Sequence, residues 1–282
     1  TDDDEKINTG FRKLNIEDPL FEYNFYPDIR QSILSGMGDM HLKIVLEALK
    51  RRFKVDVETV KPKISYRETI TKKVEYVEYT HKKQSGGAGQ FARVFIDLEP
   101  AKRGAGYEFE DKIVGGVIDQ PLRPSVDKGI QATMHKGIFA GYPIVDIKVS
   151  LVDGKTHPVD SKDVAFQIAG REVFKKAFLM ANPILLEPID DITVVVPEEY
   201  MGDIMGDMSS RRGKISGMTP EGDMQVIKAQ VPAAEILEYS QSLRSMSQGR
   251  GYYTRTFSHY EKVPEEIAEK VKVESKDEGE EE

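Results

Sequence analysis

The sequence predicts an α+β protein built from three small modules. Residues 187–264 alternate in the order βαββαβ, which is the split βαβ arrangement. Residues 1–62 follow the same order without its first strand. Residues 63–186 are rich in strands and contain two helices. A chain of 282 residues is long enough for two or three such modules.

In residues 1–62, the four- and three-residue spacing of Ile7, Phe11 and Leu14 predicts a helix. Asp39 is a candidate N-cap for a second helix. The predicted elements are a helix over 5–17, strands over 20–26 and 32–35, a helix over 40–53 and a strand over 54–59.

Residues 63–264 follow with longer alternating patterns. In residues 63–186 the predicted elements are strands over 74–80, 91–99 and 107–118, a helix over 124–136, a strand over 144–151 and a helix over 162–180. In residues 187–264 they are strands over 189–196, 214–218, 224–231 and 252–260, with helices over 198–211 and 233–245. Pro197 suits a helix start, since proline is favoured in the first helical turn.

The net charge of −8 is concentrated at the two ends of the chain. Residues 1–5 contain four acids, and residues 265–282 contain nine acids against three lysines, so residues 6–264 carry a net charge of +2. Local basic clusters, rather than net charge, decide where a polyanion docks. The acidic, low-complexity tail at 265–282 is predicted to be disordered.

Several classes of site are excluded by composition and spacing. The chain has no cysteine, which excludes disulfides, zinc–thiolate sites and thiol nucleophiles, and which fits a cytoplasmic location. No apolar run reaches the length of a membrane span, and the acidic N-terminus is unlike a signal peptide. No P-loop, dinucleotide fingerprint, metal-ligand spacing or nucleophile elbow is present. We therefore predict no catalytic residue and no metal site, and a binding function toward RNA or an RNA-rich assembly.

Two loops in the middle region are candidates for that binding. Residues 81–90 begin with Lys82 and Lys83 and contain three glycines in four residues, which allows close backbone approach to a phosphate. A flexible hairpin with solvated lysines is the alternative. In residues 153–161, His157 stands at the apex of a loop stiffened by Pro158. On these residues alone an exposed loop without a role is the favoured interpretation.

Arginines in the last region allow two interpretations as well. Arg211 and Arg212 precede Gly213 at a helix end, where ordinary capping is the preferred interpretation over phosphate contact. Arg250 lies in a polar turn for which a structural role and a phosphate contact are equally supported.

Taken together, these segments resemble the C-terminal half of bacterial elongation factor G. The matching stretches run in family order over about residues 5–264 and cover residues 35–42, 66–70, 85–90, 114–118, 143–149, 166–170, 186–189, 197–203, 211–213 and 248–251. Among them are Ser-Gly-Met-Gly-Asp-Met-His-Leu, Tyr-Arg-Glu-Thr-Ile, Ser-Gly-Gly-Ala-Gly-Gln and Gln-Gly-Arg-Gly. The series of motifs in order is far more specific than any one of them.

The resemblance implies the third, fourth and fifth domains of a five-domain translational GTPase. The implied folds are two ferredoxin-like split βαβ modules, at 1–62 and 187–264, flanking a ribosomal protein S5 domain 2-like module at 63–186. The implied function is a ribosome-binding arm that promotes translocation of tRNA and mRNA. Ribosome recycling by subunit splitting, or a stand-alone RNA-binding regulator, are the alternatives.

The resemblance also implies the contacts and partners. It places the tip of the fourth domain against the mRNA–tRNA duplex in the decoding region of the 70S ribosome, and the fifth domain near the sarcin–ricin loop and the stalk base. The implied tip residues are Ser85, Gly86, Gly87, Gly89, Gln90, Lys155, His157 and Asp160. The implied ribosomal RNA contacts are Lys82, Lys83, Arg211, Arg212 and Arg250. No cofactor is expected for this chain, GTP and magnesium are expected for the N-terminal part of the parent, and a monomer without membrane contact is expected.

Three departures from the family pattern predict a divergent paralogue. The first strand of the third domain would precede Thr1, which predicts an unpaired and fragile sheet. Ala88 stands where a basic residue is expected, and this removes a phosphate partner. The acidic tail is the third departure, and together these features favour recycling or a specialised translocation role.

Overall fold

The computed structural model describes residues 2–27, 29–83 and 89–280, with the side chains described from residue 4 to residue 273 within those ranges. The chain divides into two compact units. The first combines Thr1–Ser65 with Pro188–His259, and the second combines Tyr66–Glu187 with Tyr260–Glu282. The predicted α+β fold class is confirmed.

The first unit begins with a helix–hairpin–helix module. Its elements are α1 (Asp2–Glu17), β1 (Glu22–Tyr26), β2 (Gln31–Ser35) and α2 (Asp39–Phe53). The two strands pair antiparallel, with Glu22 opposite Ser35 and Tyr26 opposite Gln31. The apolar faces of the elements meet in a small core of buried side chains, Phe11, Leu14, Phe21, Val45, Leu49 and Val55.

The strand predicted over residues 54–59 does not form, and this prediction is wrong. Helix α2 ends at Lys54, which adopts a left-handed backbone conformation with φ of 59°. In a split βαβ sheet the last strand pairs with the first, as the later module of this chain shows. Among the described residues no strand pairs with the segment 54–59, so its backbone N–H and C=O groups have no ladder to join.

The rest of the first unit is a split βαβ module, confirmed as predicted. Its elements are β8 (Pro183–Pro197), α5 (Met201–Ser210), β9 (Lys214–Glu221), β10 (Met224–Pro232), α6 (Tyr239–Met246) and β11 (Tyr252–Lys262). The strand order is β11-β8-β10-β9, so the first strand of the module lies between the last and the third. The side chains of Ile192, Val194 and Val196 on β8 pack with Ile204 and Met208 of α5.

The second unit contains a four-stranded sheet backed by two helices. Its elements are β3 (Arg67–Ile70), β4 (Val74–Lys83), β5 (Gln90–Pro100), β6 (Tyr107–Asp111), α3 (Arg123–Met134), β7 (Ile147–Lys155) and α4 (Asp163–Met180). The sheet order is β4-β5-β7-β6, with β6 parallel to β7 and the other pairs antiparallel. Strand β6 ends at Asp111, so the strand predicted over 107–118 is too long. Strand β3, which was not predicted, pairs with the first residues of β8.

Two glycines let α3 and α4 approach each other at the level of their backbones. A Cβ atom on Gly129 would lie 2.1 Å from the carbonyl oxygen of Gln167, and one on Gly170 would lie 2.4 Å from the carbonyl oxygen of Val126. Neither position can hold a larger residue without separating the helices. The helix pair closes over the apolar face of the sheet, where Val94, Ile96 and Phe174 are fully buried.

A buried carboxylate on β3 organises a loop of the same unit. Glu68 is 0% exposed. Its Oε2 accepts hydrogen bonds from the backbone N–H groups of Ile138 (2.8 Å) and Phe139 (2.9 Å), and its Oε1 accepts from those of Ala140 (2.6 Å) and Tyr142 (3.0 Å). Four donors satisfy the charge of one buried acid, as burial requires.

The expectation of disorder after residue 265 is wrong for the described part of the tail. Glu265–Glu280 forms a helix, α7. Val263 and Val271 are buried, and the ammonium of Lys272 lies 4.3 Å from the centroid of the Phe139 ring. Within α7, Ile267 and Val271 are four residues apart and share one face. The buried Val271 and the contact of Lys272 with Phe139 hold the acidic helix against its own unit.

Candidate nucleic-acid interface

The predicted tip loops lie at one end of the four-stranded sheet. The first connects β4 to β5, and the second follows β7 and leads into α4. Ser85, Gly86 and Gly87 fall outside the described residues. Gly89, Gln90, Lys155, His157 and Asp160 are described, and the structure brings these five residues together at the same edge.

Backbone contacts join the two loops. The N–H of Phe91 donates to the carbonyl oxygen of Asp160 (2.9 Å), and the hydroxyl of Ser161 donates to the carbonyl oxygen of Phe91 (2.7 Å). A Cβ atom on Gly89 would lie 2.7 Å from the carboxyl carbon of Asp160, so glycine allows this close approach. The described residues at the end of the first loop therefore lie directly against the second loop.

His157 is held with one ring nitrogen turned inward. Its backbone N–H donates to the hydroxyl of Ser161 (2.8 Å). Its Nδ1 lies 3.4 Å from the backbone nitrogen of Val159 and 3.3 Å from that of Asp160, where it accepts. An accepting Nδ1 assigns the proton of the neutral ring to Nε2. The half-exposed side chain thus offers an N–H donor to a ligand at the tip.

Gln90 and Asp160 have positioning contacts. The Oε1 of Gln90 lies 2.9 Å from the Nε2 of His81, so its side chain is held against β4. The carboxylate of Asp160 lies 3.5 Å from the Nδ1 of His157. Because a carboxylate repels phosphate, the arrangement favours a role for Asp160 in shaping the tip rather than in contacting RNA backbone.

Exposed lysines surround the tip. Lys82, Lys83 and Lys155 are exposed, and among the described residues none of them pairs with a carboxylate. Lys162, which the sequence analysis did not select, is exposed beside them immediately before α4. Its position directly after the second loop is the sequence feature that could have identified Lys162 as a candidate. Exposed cations grouped around two loops suit phosphate contact.

Within the described residues no group of His, Asp and Glu side chains is placed to hold a metal ion. No described helix is long and apolar enough to cross a bilayer. The described part of the tip presents hydrogen-bond donors and positive charge, a combination that can bind a polyanion.

Three family models match consecutive parts of the chain. They are elongation factor G domain III over residues 1–61, elongation factor G domain IV over residues 62–182, and the elongation factor G C-terminus over residues 184–271. The chain belongs to the elongation factor G family. The tip loops lie in the part matched by domain IV, and Arg211, Arg212 and Arg250 lie in the part matched by the C-terminus.

Individual relatives agree with this assignment. An elongation factor G-like protein of Thermotoga maritima is 52% identical over 270 residues, which cover 95% of this chain and 39% of the relative. A crystal structure of a protein from Thermus thermophilus has a TM-score of 0.85 at 40% identity, and the match covers 98% of this chain and 41% of that chain. The chain thus spans about two fifths of the length of these two relatives.

The arginines of the elongation factor G C-terminal part bind inside their own module. Arg211 donates to Asp207 Oδ2 (2.8 Å), to the carbonyl oxygen of Glu235 (2.7 Å) and to the hydroxyl of Ser242 (2.9 Å), and it lies over the ring of Tyr239. Arg212 donates to the carboxylate of Glu235 (3.0 Å). Arg211 and Arg212 thus form internal ion pairs, and this geometry favours a structural role within the module. Their contact with ribosomal RNA stays a prediction.

Arg250 is engaged in the same way. Its guanidinium donates to Glu199 and to the hydroxyl of Tyr200, and it lies 4.9 Å from the centroid of the Tyr200 ring. These hydrogen bonds raise the pKa of Arg250 above its usual value. About half of the Arg250 side chain stays exposed, a larger fraction than that of Arg211, so more of it is accessible to a partner.

Arg211→Met should destabilise this elongation factor G module by about 2 kcal/mol, because three hydrogen bonds of a charged donor are lost. Thermal unfolding followed by circular dichroism measures the change. Arg12→Met, at an exposed arginine of the first unit, is the control and should leave the melting temperature unchanged. An unchanged melting temperature for Arg211→Met, together with weaker RNA binding, would restore the RNA-contact interpretation.

Proposed function

We propose that this chain is the ribosome-binding arm of a translational GTPase that promotes the movement of tRNA and mRNA during protein synthesis. The observation that carries the proposal is the described part of the tip. There Gly89 and Phe91 contact Asp160 and Ser161, and exposed lysines and the Nε2–H of His157 are available to a ligand. Family membership supports a ribosomal partner, and the tip chemistry supports RNA within it.

The mechanism follows from the shape and charge of the tip. Phosphates of the mRNA–tRNA duplex in the decoding region approach Lys82, Lys83 and Lys155, and release of their counterions favours binding. Once bound, the tip occupies the decoding region and opposes backward movement of tRNA. Arg250 offers the module matched by the C-terminus a contact to large-subunit RNA at the sarcin–ricin loop or the stalk base.

The remaining parts of the proposal concern the whole protein. GTP and magnesium would bind in a part of the protein outside this chain, and this chain would act as a monomer with the ribosome in the cytoplasm. GTP hydrolysis would then drive or time the movement of tRNA and mRNA, while this chain supplies the contact with the ribosome. Subunit splitting in place of translocation, measured with a recycling partner, would move the assignment to ribosome recycling.

His157→Ala should weaken binding of the 282-residue chain to 70S ribosomes about fivefold, because a hydrogen bond contributes about 1 kcal/mol. Ribosome pelleting gives the affinity, and chemical footprinting of small-subunit RNA gives the place of contact. His135→Ala is the matched control, since His135 is an exposed histidine at the end of α3 in the same unit. Equal affinities for His157→Ala and the original chain, or protection absent from the decoding region, would remove the tip from the mechanism.

A further inference from the structure

The outer face of the four-stranded sheet carries aromatic and basic side chains next to the tip. Along β5 the inward residues Ala92, Val94, Ile96 and Leu98 are fully buried under the helices. The outward residues of the same strand are Phe91, Arg93 and Phe95, because side chains alternate between faces. The ring of Tyr76 on β4 lies against that of Phe95, with centroids 4.6 Å apart and planes inclined by 34°. We call Phe91, Arg93, Phe95 and Tyr76 the aromatic strip.

Arg93 is held flat on the strip. Its Nε and Nη2 lie 2.6 and 2.5 Å from Oε1 of Glu78, and its guanidinium carbon lies 5.3 Å from the centroid of the Phe95 ring. Glu78 and Phe95 thus fix the plane of the guanidinium and leave its outer side accessible. A planar guanidinium is a stacking surface for a nucleobase.

Tyr76 is fixed in an unusual backbone conformation. Its φ is 53°, a left-handed conformation that is uncommon for a tyrosine. Its N–H donates to Asp97 Oδ1 and its hydroxyl to Asp153 Oδ2, both at 2.7 Å, yet the residue is 58% exposed. Two carboxylates therefore hold an aromatic ring at the surface in a costly conformation, and such strain is typical of functional positions.

The charges on this face direct a polyanion toward the tip. Lys82 lies opposite Phe91 on β4, and Lys155 lies opposite Arg93 on β7, so both lysines belong to the outer face. Of the acids on this face, Glu78 is paired with Arg93, whereas Asp97 and Asp153 accept hydrogen bonds from the neutral Tyr76 and keep their negative charge. Phosphates are therefore favoured beside the two lysines rather than beside Tyr76. Phe91 connects the strip to the tip, since its ring centroid lies 6.2 Å from that of His157.

We propose that the aromatic strip binds unpaired nucleotides of single-stranded RNA. Bases stack on Phe91, on the guanidinium of Arg93 and on Tyr76, and the phosphates lie toward Lys82 and Lys155. Four-stranded sheets with aromatic residues on their surface bind two or three bases in this way in other RNA-binding modules. The inference rests on the proposed function, because it extends the RNA contact from the tip along the sheet.

The test compares oligonucleotides that differ in their bases but share their charge. The 282-residue chain is titrated with a fluorescein-labelled oligouridine, with an abasic oligomer of the same length and with an RNA duplex, and fluorescence anisotropy gives each affinity. Arg93→Lys keeps the positive charge and removes the planar guanidinium group. Oligouridine should therefore bind about tenfold more weakly, while the affinity for the abasic oligomer and the salt dependence of binding stay the same. Phe91→Leu should weaken oligouridine binding by a similar factor.

Arg171→Lys is the matched control, since Arg171 is also exposed and pairs with a neighbouring glutamate, on α4. It should bind all three RNAs as the original chain does. Three results would each contradict RNA binding by the aromatic strip. They are equal affinities for oligouridine and the abasic oligomer, a higher affinity for the duplex, and an unchanged affinity of Arg93→Lys for oligouridine. If tip variants still lose ribosome binding in that case, the strip fails and the proposed function stands; if the original chain does not bind ribosomes, the proposed function fails.

Discussion

Replacing Lys82, Lys83 and Lys155 together by glutamine is expected to give the largest loss of ribosome binding. Each lysine that contacts a phosphate adds about one unit to the slope of log affinity against log salt. The triple variant should therefore lower that slope by about three and weaken binding about a hundredfold or more at low salt. Pelleting with ribosomes over a series of salt concentrations measures both quantities.

The control for this experiment removes the same number of positive charges at other positions of the same unit. Lys102, Lys128 and Lys136 are exposed and pair with no carboxylate among the described residues. Their replacement by glutamine should leave the slope nearly unchanged. If both triple variants lose affinity equally, binding follows net charge and the tip has no special role.

Glu68→Gln is expected to have the largest effect on stability. An amide can accept hydrogen bonds through one atom, so its NH₂ group would face two of the backbone N–H groups that the carboxylate now binds. Two buried donors without partners cost about 1 to 3 kcal/mol each, and the expected loss is about 3 kcal/mol or more. Calorimetric unfolding should show a lower melting temperature.

Hydrogen exchange can assign this loss to the right place. The amides of Ile138, Phe139, Ala140 and Tyr142 should exchange faster in Glu68→Gln, because two of them lose their acceptor and the loop that holds all four opens more often. Glu269→Gln changes an exposed carboxylate of the same unit and should leave these amides protected. Unchanged protection in both variants would show that the loop does not depend on Glu68.

Much of the fold could be predicted from local patterns, and the failures share one cause. Alternation and spacing predict β5 and most of the helices before α7, because each of these elements buries one face of its own sequence. Residues 54–59 have the local pattern of a strand, yet a strand needs a partner that no local pattern reveals. The prediction of disorder for the tail rested on its acidic composition. An average over the segment hides the apolar residues that recur at every fourth position.

In the candidate site too, local features could be predicted from the sequence, and features that depend on the fold could not. Glycine-rich and basic loops can be recognised in the sequence, and the structure joins Gly89 to Asp160 as two loops at one end of a sheet must meet. The partners of Arg211 lie 24 and 31 residues away, so its internal role is invisible without the fold. The aromatic strip depends on the register of three strands, which alternation alone does not determine.

The contact between α3 and α4 determines how the middle module responds to load. With Gly129 and Gly170 at the crossing, backbone meets backbone, and no flexible side chain lies between the helices to change rotamer. Close-packed interiors have low compressibility and transmit strain rather than absorbing it. The helix pair that backs the sheet should therefore resist compression, and the module should deform little when a force acts on it.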